Sequence, residues 1–198
     1  VRPGDAPELL RIYAPIVRET WISFEHEPPT VFELESRIRA VTATRPWLVA
    51  EAGGEVAGYA YADKLRARPA YQWARETTVY VDRSRHRQGV ARALYGALLS
   101  ALRVQGHASA WAGIALPNPA SVAVHEAVGF RSAGVWPSVG FKLGAWHDVG
   151  WWQLALKKHE KSPPEPLELA AVVRQSGWDA LLARGEPVIT ASSPTSAR

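Results

Sequence analysis

The stretch Ser84–Leu94, SRHRQGVARAL, combines cations, a glycine and the start of an apolar helical pattern. Arg85, His86 and Arg87 come just before Gly89, although glycine weakens the first turn of a helix. A helix N-terminus exposes unpaired N–H groups and stabilises an anion by about 0.3–1 kcal/mol per charge. Glycine lets a diphosphate come close to those N–H groups. The stretch therefore predicts a site for a phosphate-bearing ligand, with an ordinary strand-to-helix turn as the alternative.

Composition and charge narrow the class of protein. The chain has 198 residues, 47% of them hydrophobic, which suits one domain with a full core, with or without an appendage. A net charge of +4 is too weak to argue for nucleic acid. The sequence holds no cysteine, so disulfides, zinc–thiolate sites and cysteine nucleophiles are excluded. No stretch approaches the apolar length that spans a membrane. We expect a cytoplasmic protein that binds no metal.

Hydrophobic periodicity predicts strands and helices that alternate along the chain. Two capping-box patterns, Asp5–Glu8 and Thr30–Glu33, mark the starts of two helices, and two more are predicted at residues 90–105 and 118–128. The predicted strands are Trp47–Glu51, Val56–Ala62, Glu76–Val81, Ser109–Leu116, Ala133–Phe141 and Asp148–Lys157. This order of elements predicts a mixed α/β domain around one sheet.

The character of the sequence changes after Lys158. SPPEPLEL, at residues 162–169, is a proline-rich break, the pattern of residues 167–183 is helical, and the last residues are polar. We therefore expect one domain over residues 1–158, followed over residues 159–198 by a proline-rich linker, a short helix and a mobile tail.

Several blocks of this sequence resemble a known enzyme family. HRQGVA, at residues 86–91, resembles the acetyl-CoA diphosphate loop Gln/Arg-x-x-Gly-x-Gly/Ala of the GNAT superfamily of N-acetyltransferases, from which it departs at His86. RPWLVAEAGGEVAGYAYA, AYQWARETTVYV, LPNPASVAVHEAVGF and GFKLGAWHDVGWWQL resemble phosphinothricin N-acetyltransferases, in unbroken order over residues 1–157. The resemblance implies one GNAT-type domain, whose central mixed, largely antiparallel sheet is flanked by helices, with a C-terminal helical extension.

The same resemblance implies a reaction. The protein would be an acetyl-CoA-dependent N-acetyltransferase for the α-amine of phosphinothricin or a related amino acid, such as methionine sulfone or methionine sulfoximine. Herbicide resistance would be incidental, and a homodimer is expected. Two alternatives remain open: a GNAT transferase that acts on a polyamine or a peptide N-terminus, and a non-catalytic sensor that binds acyl-CoA.

Acetyl transfer to an amino acid needs a base, because an amine with a pKa of roughly 8 or more is mostly protonated at neutral pH. The resemblance places this base at Glu76. The alternative is a strand-end carboxylate paired with Arg75 or Lys64. The resemblance also places His125 where most of the superfamily has a tyrosine that protonates the departing thiolate, and a histidine can serve there as acid or base. The alternative is a histidine stabilised by the helix dipole.

The acetyl-CoA contacts follow from the resemblance as well. The pantetheine arm pairs like an added strand with the backbone around residues 79–81, where an N–H group could also hold the oxyanion. Asn118 resembles a cofactor contact of the family, although by its position it could simply be a helix cap. The residues predicted to contact acetyl-CoA are Val79, Tyr80, Val81, Arg87, Gln88, Gly89, Val90, Ala91, Arg92, Asn118 and Ser121.

The acceptor site is predicted around a basic, aromatic loop at residues 64–75. Arginine suits carboxylate and phosphinate groups, and aromatic rings can form the walls of a pocket. Two further residues align with the family's loop over the acceptor pocket, and one lies near the last strands. Each of them could instead be a surface or packing residue. The predicted acceptor contacts are Phe24, Glu25, Arg68, Tyr71, Trp73 and His147. We expect a small amino-acid-like acceptor and neither a nucleic-acid nor a membrane partner.

Overall fold

A six-stranded sheet forms the framework of the protein, and the computed structural model describes residues 1–176. The strands are β1 (Trp47–Ala52), β2 (Glu55–Lys64), β3 (Ala74–Val81), β4 (Ser109–Leu116), β5 (Arg131–Lys142) and β6 (Ala145–Ala155). The helices are α1 (Ala6–Glu19), α2 (Val31–Thr42), α3 (Val90–Gln105), α4 (Pro119–Ala127) and α5 (Leu169–Ser176). Within this described part, no helix has the length and apolar character needed to cross a membrane.

Neighbouring strands run antiparallel except at one place in the sheet. The strand order is β1-β2-β3-β4-β6-β5, and β3 and β4 form the parallel pair. The pairs β1–β2, β2–β3, β4–β6 and β5–β6 are antiparallel. The prediction of a mixed α/β domain with a largely antiparallel sheet is therefore confirmed.

One face of the sheet packs against α3 through small side chains. Ala60 and Ala62 of β2, with Ala110 and Ala112 of β4, are buried in one cluster with apolar residues of α3 such as Leu98. Side chains this small let a helix lie close to the strands without leaving voids. The long helix that follows β3 is thereby fixed to the middle of the sheet.

The opposite face is covered on its β1–β2 side by α1 and α2. Leu9 of α1 and Ile38 of α2 are buried against Trp47 and Tyr59 of the sheet. An aromatic stack crosses this face, with the rings of Trp47 and Tyr61 centred 4.3 Å apart. The two helices pack on each other, α1 also contacts β2 and β3, and α2 also contacts β1. On this face, the region of β4, β5 and β6 carries the cavity described below.

The two predicted capping boxes have different outcomes. Thr30 Oγ1 accepts from the backbone N–H of Glu33 at 3.2 Å, and the Glu33 carboxylate accepts from Thr30 N at 2.7 Å, so the second box is confirmed. The first box is wrong, because Asp5 makes no side-chain cap. The Glu8 carboxylate instead accepts from Val56 N in β2 at 3.0 Å. The local pattern assigned Glu8 to the start of α1, but its carboxylate instead bonds to a strand that is distant in the sequence.

The chain beyond β6 folds back onto the domain. The indole Nε1 of Trp73 donates to the carbonyl of Pro164 at 2.8 Å, and Val172 of α5 is fully buried next to α3. The predicted helix at residues 167–183 is present up to residue 176. The rest of that helix and the predicted tail lie outside the described residues, and the domain boundary after residue 158 stays a prediction.

Candidate active site

The sheet opens between β3 and β4. These strands pair over only three residues each, from Ala74 opposite Ser109 to Glu76 opposite Trp111. Beyond this point β3 stays paired with β2 as far as Val81, while β4 stays paired with β6. The backbone edge of β3 that faces β4 is therefore free of strand pairing after Glu76. An extended ligand with amide groups can bind such an edge as an added strand.

The N-terminus of α3 lies next to the end of β3. Gly89 precedes the helix with φ +83°, and Arg87 also has a positive φ of +61°. The first main-chain hydrogen bond of this turn runs from Ala93 N to Gly89 O at 3.0 Å, so the N–H groups of residues 90–92 precede it. Gly58 of β2 shows how close the two elements lie, because a Cβ there would be 2.8 Å from the Tyr80 carbonyl oxygen of β3 and 3.1 Å from Val90 Cγ1 of α3. The predicted anion site therefore adjoins the open edge of β3.

The turn before α3 is held by side chains that leave its arginines exposed. Asp82 accepts hydrogen bonds from Ser84 N and Oγ at 2.8 and 2.7 Å and pairs with Arg11. Hydrogen bonding by Ser84, followed by the contact with Arg11, lowers the pKa of Asp82 to about 2. Arg87 and Arg92 are exposed at this turn. Their side chains are free to reach a bound anion.

Asn118 caps the start of α4, as the sequence position of this residue allowed. Asn118 Oδ1 accepts from Ser121 N at 3.1 Å. This bond satisfies one unpaired N–H group of the helix and fixes the helix start beside the end of β4. Contacts of Asn118 and Ser121 with acetyl-CoA stay predictions.

His125 is almost completely buried, with 4% of its surface exposed, and both ring nitrogens have partners. Its Nδ1 lies 2.7 Å from the Ser121 carbonyl, which can only accept, so Nδ1 carries a proton. Nε2 then accepts from the Tyr95 hydroxyl at 2.6 Å. Burial lowers the pKa of His125. The imidazole is therefore neutral at pH 7, and its proton acceptor is occupied by Tyr95.

Glu76 and His125 approach the opening from opposite faces of the sheet. Strand pairing puts Glu76 on the same face as Trp111, whereas Thr77 lies on the α3 face. Tyr95, the partner of His125, lies 3.5 Å from Thr77 Oγ1. A proton acceptor and a proton donor are therefore available on two different sides of a group placed in the opening.

The environment of Glu76 suits a base. Burial raises its pKa, the nearby Arg66 lowers it, and Asp63, directly opposite on β2, raises it. The alternative of a strand-end carboxylate paired with Arg75 is wrong, since these two side chains form no ion pair and Arg75 Nε lies 3.3 Å from His107 Nε2. An ion pair of Glu76 with Lys64 is likewise not formed. Glu76 therefore keeps its carboxylate available for a proton.

A cavity of about 300 Å³ opens on the face of Glu76. Trp111 of β4 and Trp151 of β6 form part of its wall, and Arg66 reaches into it. The Arg66 guanidinium lies 5.3 Å from the ring centre of Trp136 and 5.4 Å from that of Trp151. This arrangement offers a cation and flat apolar walls to a small anionic molecule. Arg66 was not among the predicted contacts, because nothing local distinguishes it from the other cations of the basic loop.

The predicted acceptor residues of the basic loop are not all brought together. Tyr71 lines the cavity of Arg66, but Arg68 is exposed at the start of the short turn Pro69–Tyr71 and is not part of that wall. Trp73 lines a second cavity of about 250 Å³, which lies between the loop and the chain after β6. The loop therefore contributes to two neighbouring cavities.

Two more predicted residues, Phe24 and His147, meet at the hairpin formed by β5 and β6, and Glu25 follows Phe24 in the chain. His147 stacks on Trp21 with ring centres 5.2 Å apart, and Phe24 is 6.4 Å away from the same ring. Phe24 also covers Gly140 so closely that a Cβ at this position would overlap its ring. Glu25 pairs with Arg37 of α2 at 2.6 Å. Of the two residues aligned with the acceptor loop, Phe24 thus lies on this hairpin and Glu25 pairs with α2. In the described part of the chain, no group of three or more acidic or histidine side chains is arranged to hold a metal ion.

Comparison with known proteins decides the family. A model described as an acetyltransferase (GNAT) domain matches residues 1–151. The chain belongs to the GNAT acetyltransferase family. It is 38% identical over 170 residues to the phosphinothricin N-acetyltransferase of Streptomyces viridochromogenes. This alignment covers 84% of this chain and 92% of that protein.

Two further relatives of this GNAT protein bear on its ligands. The L-methionine sulfoximine/L-methionine sulfone acetyltransferase of Pseudomonas aeruginosa is 34% identical over 166 residues, 81% of this chain and 94% of the relative. The structure of a phosphinothricin acetyltransferase from Sinorhizobium meliloti, in complex with acetyl-CoA, matches with a TM-score of 0.78 at 28% identity. That match covers 85% of this chain and 95% of the other. The GNAT fold predicted from the sequence is thus confirmed.

The buried bond between Tyr95 and His125 makes a prediction about stability. Replacement of Tyr95 by Phe removes the hydroxyl and leaves His125 Nε2 buried without a partner, which should lower the free energy of unfolding by about 1–3 kcal/mol. Urea denaturation followed by tryptophan fluorescence measures this. Tyr71→Phe removes a hydroxyl from an exposed ring and should change the free energy by no more than about 0.5 kcal/mol. Equal effects of the two substitutions would contradict the assignment.

Proposed function

We propose that this GNAT enzyme transfers the acetyl group of acetyl-CoA to the α-amine of phosphinothricin or of a related amino acid such as methionine sulfone or methionine sulfoximine. One observation carries the proposal: the half-buried Glu76 lies where β3 and β4 part, on the face that holds the cavity of Arg66. The sequence relatives named for these acceptors support the same substrate class.

The cofactor contacts come from backbone and arginine side chains. The open edge of β3 at residues 79–81 pairs with the amides of the pantetheine arm. The N–H groups at the start of α3 bind the diphosphate, because the helix end carries a partial positive charge. Gly89 allows the close approach, and Arg87 and Arg92 add charged contacts. The acetyl-CoA complex of the matched Sinorhizobium meliloti structure supports acetyl-CoA as the donor.

Glu76 acts first, as the base. It takes a proton from the acceptor ammonium, directly or through a water molecule, and the free amine then forms a bond to the thioester carbonyl carbon. A backbone N–H group near Val81 donates to the oxyanion that develops. Breakdown of this intermediate breaks the carbon–sulfur bond, and the nitrogen loses its remaining extra proton to solvent. The departing thiolate takes a proton from the side of His125 and Tyr95, and solvent restores that proton. The Tyr95 hydroxyl already donates to His125 Nε2, so these two side chains act as one hydrogen-bonded proton source.

The acceptor's anionic groups bind arginine. Arg66 lies in the cavity on the face of Glu76, and Arg68 follows two residues later in the same loop. A guanidinium binds carboxylate and phosphinate oxygens in pairs. A polyamine would instead place a cation beside Arg66, which argues against the polyamine alternative. Phe24, Tyr71 and His147 remain predicted walls of the acceptor site, and Glu25 and Trp73 remain predicted contacts.

The proposed reaction also implies a location in the cell. Acetyl-CoA is a product of metabolism inside cells, so we place the enzyme in the cytoplasm. Herbicide resistance then follows incidentally from a pocket shaped for glutamate-like amino acids. The transferase domain is proposed to end near residue 158, and the remaining residues form an extension.

An acceptor screen with the Glu76→Gln variant tests the reaction. We expect thiol release from acetyl-CoA only with phosphinothricin, methionine sulfone or methionine sulfoximine, and not with polyamines or peptides. Loss of the base should lower kcat/KM at least about tenfold. Glu51→Gln, on the outer strand β1, serves as the matched control with no expected loss. Full activity of Glu76→Gln would remove Glu76 from its role.

The pH profile gives a second readout in the same experiment. Only the ionised form of Glu76 accepts a proton, so kcat/KM should rise with pH through the pKa of this residue. Because burial raises that pKa, the rise should be centred above the ordinary value of 4.5. The residual activity of Glu76→Gln should not show this rise of kcat/KM with pH.

Substitution of the cavity arginine separates acceptor binding from donor binding. Arg66→Gln should raise the acceptor KM by about tenfold and leave the acetyl-CoA KM unchanged, because a charge-assisted contact to the anionic group is lost. Arg68→Gln, measured in parallel, tests the contact predicted from the sequence, and Arg39→Gln on α2 is the control. An equal rise of both KM values in Arg66→Gln would contradict this role.

A homodimer is also proposed, from the surface at the β5 edge of the sheet. Six large apolar side chains are exposed there, which is unusual for an edge strand that faces solvent. A second copy of the same chain would cover such a surface. The exposed residues are Val135, Trp136, Val139, Phe141, Leu143 and Trp146.

Sedimentation velocity tests the dimer. Trp146 is 64% exposed in the single chain. The substitution Trp146→Glu would place a charge inside the interface, so the dimer should dissociate to monomers. Phe32 on α2 is 74% exposed and lies away from this surface, and Phe32→Glu should remain dimeric. A monomeric unsubstituted protein would disprove the proposal.

A further inference from the structure

Lys142, at the end of β5, is buried in a way that is rare for lysine. Only 3% of its surface is exposed. Its Nζ donates to two backbone carbonyls, Val17 O at 2.6 Å and Ser23 O at 2.5 Å. Burial of an ammonium group costs free energy unless its hydrogen bonds are satisfied. The two carbonyls meet that need, so this lysine joins two segments that are far from it in sequence.

The first carbonyl belongs to the end of a helix. Val17 lies in the last turn of α1, where carbonyl groups have no N–H partner within the helix. The C-terminal end of a helix also carries a partial negative charge, which favours a cation. Lys142 therefore caps α1 from a strand at the far side of the sheet.

The second carbonyl lies in the connection between α1 and α2, residues 20–30, called here the α1–α2 loop. Ser23 is held a second time, because its Oγ lies 2.7 Å from the Tyr13 hydroxyl. The next residue, Phe24, lies on Gly140 of β5 with no room for a Cβ between them. Glu25 then pairs with Arg37. Phe24 is therefore fixed from both sides, with Lys142 on one side and the ion pair on the other.

The hairpin side of this contact is equally ordered. His147 of β6 lies with its Nε2 3.1 Å from the carbonyl of Lys142, and its ring stacks on Trp21 of the α1–α2 loop. The loop and the β5–β6 hairpin are thus joined by an ammonium group, an aromatic stack and a close ring contact. Of these three, the ammonium group is the one that also reaches α1.

We propose that Lys142 is a positioning residue for the acceptor: its ammonium group fixes the α1–α2 loop to the β5–β6 hairpin and so holds Phe24 at the acceptor site. The inference rests on the proposed function for the identity of the acceptor and on the structure for the loop contact. Lys142 touches neither reacting group. Its removal should therefore affect the binding of the acceptor and leave the handling of acetyl-CoA unchanged.

Lys142→Met tests the proposal, because methionine keeps the apolar length and lacks the three N–H donors. The acceptor KM should rise about fivefold or more, while the acetyl-CoA KM should stay within about twofold of its original value. Lys161→Met makes the same chemical change at an exposed position and should alter neither constant. Lys142→Gln, whose shorter side chain can reach at most one of the carbonyls, should give an intermediate rise and replaces Lys142→Met if that variant does not fold.

Hydrogen exchange provides a readout independent of activity. Amides of residues 20–27 should exchange faster in Lys142→Met than in the unsubstituted protein, while those of β3 should be unchanged. Unchanged exchange in the loop, or an equal rise of both KM values, would overturn the proposal. If the unsubstituted protein acetylates no amino acid, the proposed function is wrong, and the exchange measurement still decides whether Lys142 holds the loop.

Discussion

The parting of β3 and β4 is the constraint on which the rest of the structure depends. At the point where their pairing ends, Thr77 Oγ1 donates to the carbonyl of Trp111 at 3.0 Å. A side chain thereby bonds to a backbone group at the place where a continued sheet would use backbone N–H groups. Beyond it, β3 keeps β2 as its partner and β4 keeps β6. The opening is stable because each strand is fully supported on its other side.

Two titratable groups with different environments lie at this opening. Glu76 is partly buried on the cavity face, where burial and the neighbouring Asp63 raise its pKa and make it a stronger base. His125 is buried on the α3 face, where burial keeps it neutral and Tyr95 occupies its acceptor nitrogen. The sheet itself separates the two groups, so in the proposed reaction one side removes a proton and the other supplies one without the groups neutralising each other.

Local sequence patterns predicted what local interactions decide. Strand alternation placed Glu76, Thr78 and Tyr80 on one face, and their partners on β2 agree with it. The helix start at Thr30 and the cap at Asn118 were also predictable, since each needs only residues three positions apart. The family resemblance supplied the fold, because several blocks matched in order.

Long-range contacts were beyond the reach of these patterns. Lys142 lies 125 residues from Val17 in the sequence, and its role as a helix cap shows in neither neighbourhood. Tyr95 occupies an ordinary apolar position in the sequence pattern of α3. Only the structure shows that its hydroxyl bonds to His125. Arg66 was one cation among several until Trp136 and Trp151 came to lie beside it.

The hydrogen bond from Trp73 to the carbonyl of Pro164 has a consequence for protein engineering. It connects the basic loop that borders the cavity of Arg66 to a segment beyond the part matched by the family model. A chimera that carries this loop without the proline-rich segment would lose this hydrogen bond. The loop and the proline-rich segment are therefore best exchanged as one unit, although more than ninety positions separate them along the chain.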